Sequence, residues 1–172
     1  MINRVGKFSK VSLKQFKIDM KSTFAEKYSD KDIESMYNKI QLPKRATARS
    51  SGYDIRTPVS FELHAGDEFK FPTGIRVKID SGWWLMCMPR SGSGMKQRIR
   101  LANTIGNVDE DYFDADNEGH IFVKVTKDTS ARNIFSVDAG DAVCQAVFVP
   151  YGITYDDEST GGRTGGMGST GR

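Results

Sequence analysis

Cysteine, histidine and proline are scarce in this chain of 172 residues, at two, two and five. The cysteines, Cys87 and Cys144, each lie inside an apolar run; so few give neither a disulfide framework nor a zinc-ligand spacing, and both read as small buried hydrophobes. No apolar stretch approaches the roughly 20 residues of a membrane span, and Met1 to Lys10 carries charges without the apolar centre of a secretory signal. The expected address is the cytoplasm. The motifs G-x-x-x-x-G-K-[ST], H-E-x-x-H and G-x-S-x-G are all missing, which excludes the familiar nucleotide-loop, zinc-hydrolase and serine-hydrolase signatures. His64 and His120 both neighbour expected turns and read as surface residues rather than as a base or ligands. A metal caged by protein side chains is therefore not expected.

What is present describes a globular chain. Hydrophobic residues make up 38% and charged ones 27%, with 10 Phe, 6 Tyr and 2 Trp, a balance that excludes a disordered or coiled-coil chain. The length suits one domain, with or without an appendage. The net charge of +3 hides an asymmetry: residues 1–50 hold 12 Lys/Arg against 5 Asp/Glu, while residues 51–172 hold 13 against 17. The lysines of the basic half are scattered and no nucleic-acid motif accompanies them, so they read as a solvated surface rather than a nucleic-acid site.

Three regions follow one another. Val5 to Ile18 alternates weakly through Phe8, Val11, Leu13, Phe16 and Ile18, which predicts a strand; then Ile33, Met36, Tyr37 and Ile40 recur at helical spacing, with Ser29 or Asp30 as N-cap and Pro43 as stop. The apolar face of that helix is expected to pack on its own domain. From Tyr53 to Pro150 short period-2 runs alternate with turns. Strands are predicted at Val59–Leu63, Glu68–Phe71, Gly74–Lys78, Trp83–Met88, Ile121–Thr126 and Asp141–Pro150, separated by turns at Ala65–Asp67, Asp80–Gly82, Asn117–Gly119 and Asp138–Gly140. No βαβ rhythm appears, so an all-β sandwich or jelly roll is expected. Finally, six of the eleven residues from Gly161 to Gly171 are glycine. Such a tail buries little, and is either a flexible end or a lid whose backbone N–H groups, Arg and hydroxyls wrap an anion.

Two clusters carry chemistry. Pro89-Arg90-Ser91-Gly92-Ser93-Gly94 follows a strongly apolar strand; backbone N–H groups, a hydroxyl and a guanidinium at a strand end suit a phosphate. Read alone it is a polar loop with an ordinary surface Arg rather than a phosphate site. Asn103 to Tyr112 adds a run of acids, of which Asp109 is the candidate general base, crowded by Glu110 and Asp111; alone, this too is an acidic solvated loop.

Together these segments resemble the trimeric dUTP pyrophosphatase (dUTPase) family of the bacteriophage or bacterial type, whose five short motifs have counterparts here in order. Ser51-Gly52-Tyr53-Asp54, after Leu42 to Thr47, resembles the first and Pro89 to Gly92 the second. Asn103 to Tyr112 resembles the third, Gly140 to Gln145 the fourth and Arg163 to Gly171 the fifth. The resemblance implies an all-β jelly roll or distorted barrel over residues 1–160, with a helical insertion at about 20–40 and a mobile arm over 161–172. It implies hydrolysis of dUTP to dUMP and pyrophosphate by water attack on the α-phosphorus, with Asp109 as general base and Gln145 beside the α-phosphate. Arg90, Ser91 and Gly92 correspond to the phosphate loop, with Asp54 supporting Arg90. Asn103 and the hairpin Gly106, Asn107 and Val108 correspond to the uracil reader. Tyr112 corresponds to the ring under the deoxyribose, where a 2′-hydroxyl has no room. From the arm, Arg163, Gly168, Ser169 and Thr170 correspond to phosphate contacts, and Met167 stands where the family places an aromatic over the base.

The resemblance also implies Mg2+ carried by the triphosphate and water rather than by protein ligands, and a homotrimer whose active sites are shared between subunits. If the chain is viral, the compartment is the host cytoplasm. The segment 14–40 is an insertion relative to the family and is a candidate site for a protein partner. Two rival functions are a dCTP deaminase-like enzyme of the same fold, separable by ammonia release from dCTP, and a nucleotide-sensing regulatory protein that signals through the insertion.

Overall fold

The structure is a computed structural model that describes residues 2–161 and 165; the expected arm residues Arg163, Met167, Gly168, Ser169 and Thr170 lie outside them. In chain order the elements are β1 (Gly6–Lys10), α1 (Leu13–Phe24), α2 (Asp30–Lys39), β2 (Tyr53–Arg56), β3 (Phe61–Leu63), β4 (Glu68–Pro72), β5 (Ile75–Ile79), β6 (Trp83–Pro89), α3 (Ser91–Gln97), β7 (Ile99–Leu101), β8 (Gly106–Val108), a 3-10 turn (Glu110–Asp114), β9 (Phe122–Lys127), β10 (Phe135–Val137) and β11 (Ala142–Pro150). The strands form a four-stranded sheet β2-β11-β6-β8, a three-stranded sheet β4-β9-β7, and the pairs β1-β5 and β10-β3, antiparallel throughout. This is the all-β, jelly-roll-like fold that the resemblance implies.

The alternation of the sequence decides which way each strand faces. Ile75, Val77 and Ile79 are buried while Lys78 between them is exposed, and Val123 and Val125 repeat the pattern on β9 with Lys124 outside. These side chains join Ile55, Leu63, Phe71, Leu85, Cys144 and Ala146 in one core, beside which Phe61 and Phe69 stack at 4.3 Å between ring centroids. All six strands expected from the alternation are present, within two residues at their ends. The others (β2, β7, β8, β10) are only three or four residues long, too short for a period-2 signal to emerge.

The N-terminal segment departs from the expected strand. Only Gly6–Lys10 is extended; Ser12 then caps α1, its hydroxyl accepting from the Gln15 amide at 3.0 Å. The pair Phe16 and Ile18 decides the matter. In a strand they would share a face, whereas Phe16 is fully buried and Ile18 is 51% exposed. The helical segment expected at about 20–40 thus starts at Leu13 and comprises two helices. Ser29 forms a capping box with Asp32 at the head of α2, as its position predicts. Phe16 and Met20 of α1 and Ile33 of α2 are buried against the β domain, each worth about 1.5–3 kcal/mol. The apolar side of the insertion is therefore consumed by its own domain, and what it shows to solvent is mostly charged. His120, expected at the surface, is instead completely buried against Phe16 and Phe122.

Candidate active site

Strand β6 organises the site. In the register of the four-stranded sheet Gln145 lies opposite Asp54 on one side and Met88 on the other. Directly opposed residues project on the same face, and Arg90 comes two residues after Met88, so Asp54, Gln145 and Arg90 are set on one face at one end of the sheet. There the Arg90 guanidinium meets the Asp54 carboxylate at 3.2 Å and donates to the Ala142 carbonyl at 3.3 Å. Arg90 is 44% exposed, so the pair adds little stability; its effect is to aim the guanidinium. Close approach shapes the neighbourhood too: a Cβ on Gly52 would lie 2.6 Å from Gln145 Oε1. Only glycine lets Gln145 lie across that backbone.

The segment after Arg90 was expected as a loop and is the short helix α3. Arg90 occupies its N-cap position without a side-chain cap, so the amides of Ser91 and Gly92 remain available at the end of β6. The far end of α3 is tied down by Lys127, a fully buried residue whose Nζ donates to the Gln97 carbonyl at 3.1 Å. Arg90, Ser91 and Gly92 thus sit on a braced element rather than a free loop.

A second constellation lies along the sheet edge. Strand β8 pairs with β6 through Cys87–Gly106, Met86–Asn107 and Leu85–Val108. A Cβ on Gly106 would come within 3.1 Å of Cys87 Cβ, which keeps the edge slim. Beside it opens a cleft of about 520 Å³ whose lining includes Asn103, Gly106, Asn107, Tyr112 and Phe122. That size and its mixed lining suit a nucleoside. Tyr112 is buried, its hydroxyl donating to the His120 carbonyl at 2.7 Å and accepting from Asn117 Nδ2 at 3.0 Å. Asp109 occupies the N-cap position of the 3-10 turn without a side-chain cap bond, and Asn107 Nδ2 donates to its Oδ1 at 2.8 Å. The i, i+2 spacing of Asn107 and Asp109 in an extended segment was a readable sign of that contact. Nothing local announced Asn117 or the His120 carbonyl as partners of Tyr112.

One chain does not bring all of these together. Val108 pairs with Leu85, so Asp109 continues toward Trp84, whereas Gln145 pairs with Met88 and Arg90 lies beyond. At about 3.4 Å per residue, Asp109 is roughly 14 Å along the sheet from Gln145 and about 20 Å from Arg90. Burial pushes the Cys87 thiol up to about 12 and holds Cys144 well above its ordinary value, so neither sulfur serves as a nucleophile. Among the described residues no cluster of three or more His, Cys, Asp or Glu is placed to hold a metal ion, and no helix is long and apolar enough to cross a membrane.

A family model described as dUTPase matches residues 38–171. The chain belongs to the dUTPase family. Among relatives of this dUTPase family member, deoxyuridine 5′-triphosphate nucleotidohydrolase of Lactococcus lactis is 36% identical over 135 residues, covering 77% of this chain and 89% of the relative. Among solved structures, a dUTPase from Streptococcus mutans superposes with a TM-score of 0.61 at 29% identity, over 86% of this chain and 97% of that one. A dUTPase from phage phi11 of Staphylococcus aureus, described with a structural Mg(II) ion, shares the fold at a TM-score of 0.53 and 18% identity, over 69% and 92% of the two chains. Most of the insertion, with all of α1, precedes the stretch that the dUTPase model matches.

Proposed function

We propose that the protein is a dUTP diphosphatase, hydrolysing dUTP to dUMP and pyrophosphate. The observation that carries this reading is the separation of a nucleoside-sized cleft at Asn103–Tyr112 from an anion cradle at Arg90–Gly92 on one rigid sheet, in a chain of the dUTPase family. The cleft is assigned to deoxyuridine: the hairpin of Gly106, Asn107 and Val108 with Asn103 reads the base edge, and the buried Tyr112 ring lies beneath the sugar. Arg90, Ser91 and Gly92 take phosphate oxygens, with Asp54 aiming Arg90. Arg163, Met167, Gly168, Ser169 and Thr170 are assigned to an arm, residues 161–172, that closes on the bound triphosphate.

In the reaction a water oxygen attacks the α-phosphorus, Asp109 takes the proton of that water, and the bond from the α-phosphorus to the bridging oxygen breaks to release pyrophosphate. Asn107 holds the Asp109 carboxylate, and Gln145 orients the α-phosphate and the water. A base supplies about 10² to 10⁴ in rate, so the positioned cations and amides carry the rest. Arg90, Ser91 and Gly92 would hold the phosphate end of a magnesium-bound triphosphate, and the ion would supply neutralisation of phosphate charge there.

The distance of Asp109 from Arg90 and Gln145 along the sheet supports a homotrimer with shared sites, each complete only when a second chain lends its Asp109. The assigned compartment is the cytoplasm, or the host cytoplasm if the chain is viral. A dCTP deaminase-like activity is not favoured, because the named relatives act on deoxyuridine triphosphate. A nucleotide-sensing role through a protein partner at the insertion is retained beside catalysis, on the ground that α1 lies outside the family match and offers a charged outer face. Pyrophosphate release from dUTP beside dCTP, dTTP and UTP tests the main reading: strong preference for dUTP is expected, and ammonia from dCTP would replace it.

A further inference from the structure

The insertion grips the loop that follows Tyr112 at two points on one face of α1. At its first point the Ser12 amide and hydroxyl both donate to the Glu118 carboxylate, at 2.7 and 2.6 Å. Seven residues on, two turns along the same face, Asp19 Oδ2 lies 2.5 Å from His120 Nδ1. Phe16, between them on that face, packs its ring against the His120 imidazole.

The tautomer of His120 follows from its surroundings. Its Nε2 accepts the Gly74 amide at 2.7 Å and so bears no proton; the ring proton is on Nδ1 and is donated to Asp19. Asp19 in turn accepts from Gln15 Nε2 at 2.9 Å, one turn earlier on α1. The His120 ring is thereby fixed at both nitrogens, and its backbone carbonyl is the acceptor of the Tyr112 hydroxyl. Glu118 is held at a left-handed φ of 59°, a conformation that a non-glycine residue keeps only when its surroundings enforce it, and the Ser12 contacts supply that enforcement.

We infer that Asp19 is a positioning residue of the nucleotide site: through His120 it sets the depth of the Tyr112 ring and with it the discrimination between deoxyribo- and ribonucleotides. The inference rests on the assignment of Tyr112 to the sugar. Freed from Asp19, the imidazole keeps a buried N–H without its acceptor, and it turns or shifts to recover one. The carbonyl that anchors Tyr112 moves with it, and sub-ångström displacement of a ring packed under a sugar alters which sugar fits. The insertion is, in these terms, a specificity brace absorbed into the enzyme.

The test is the ratio of kcat/KM for dUTP to that for UTP, measured on the full chain. Asp19→Ala is expected to lower the ratio by roughly tenfold, chiefly through improved use of UTP and a raised KM for dUTP, with kcat for dUTP within about twofold of the parent. Asp19→Asn, which still offers an acceptor oxygen to His120, is expected to restore most of the ratio. A merely structural role lowers both activities together and leaves the ratio unchanged, and that result overturns the inference. Should Asp19→Ala fail to fold, Gln15→Ala loosens the same carboxylate and is expected to lower the ratio by about threefold; an unchanged ratio there is equally decisive against it. A parent chain that turns over UTP as readily as dUTP overturns the sugar assignment of Tyr112 itself, and the role of Asp19 with it.

Discussion

Asp109, just after β8, and Gln145, on β11, lie toward different ends of the same four-stranded sheet: β8 pairs with β6 through Val108 and Leu85, and Gln145 pairs with β6 at Met88. The proposed function puts this carboxylate and this amide on one water, and across that gap the two do not meet within a chain. The consequence is testable by complementation. Asp109→Asn and Arg90→Ala chains, each inactive alone, are expected to recover roughly a quarter of parental activity when unfolded and refolded together, because mixed trimers contain sites with both residues intact. No recovery in the mixture, with parental trimers refolding normally, places the whole site on one chain.

Asp109→Asn by itself should lower kcat for dUTP by about 10² to 10⁴. Affinity for a non-hydrolysable dUTP analogue, measured by calorimetry, should remain nearly unchanged, because the amide keeps the size and the Asn107 contact. Retained turnover removes Asp109 from the base role.

Gly52 tests the placement of Gln145. A methyl group at that position would sit 2.6 Å from Gln145 Oε1, and the flexible side chain is the part that gives way. Gly52→Ala is expected to cost less than about 1 kcal/mol in denaturant unfolding while reducing kcat by about tenfold. Unaltered kinetics would detach Gln145 from the reaction.

The insertion contributes to stability as well as shape. Phe16 is fully buried beneath it, so Phe16→Ala is expected to destabilise the chain by about 3–5 kcal/mol, read from the midpoint of urea unfolding. A loss below about 1 kcal/mol would mean that the helices pack loosely. The same burial makes deletion of residues 20–40 a poor probe of a partner, since Met20 and Ile33 leave the core with it.

Acid should release the brace at its first point. Burial pushes the Glu118 carboxyl up, but the Ser12 hydroxyl and amide, with the nearby Arg76 guanidinium, outweigh it and hold the group below the ordinary value of 4.5. The unfolded chain therefore binds the proton first as pH falls. The stabilisation is full above 4.5 and disappears as pH drops through the folded value. Thermal melting from about pH 6 to pH 3 should show a steeper acid loss for the parent than for Ser12→Ala. Parallel curves would count against the Ser12–Glu118 bond.

The sequence by itself determined which strands face the core and where α2 begins, because period-2 alternation and a Ser29 cap are local properties, and its ordered motifs named the short segments to which the site is assigned. It left α1 unread because Phe8, Val11, Leu13, Phe16 and Ile18 satisfy alternation by composition; only packing reveals that Phe16 goes inward while Ile18 stays out. His120 beside a turn carries no mark of burial, and its bond to Asp19 spans 101 residues. The partners of Tyr112 and the distance of Asp109 from Arg90 likewise depend on strand register and on elements far apart in the chain. Those were decided by the tertiary structure alone, since hydrogen-bond geometry and exclusion of water exist only once the sheets have closed.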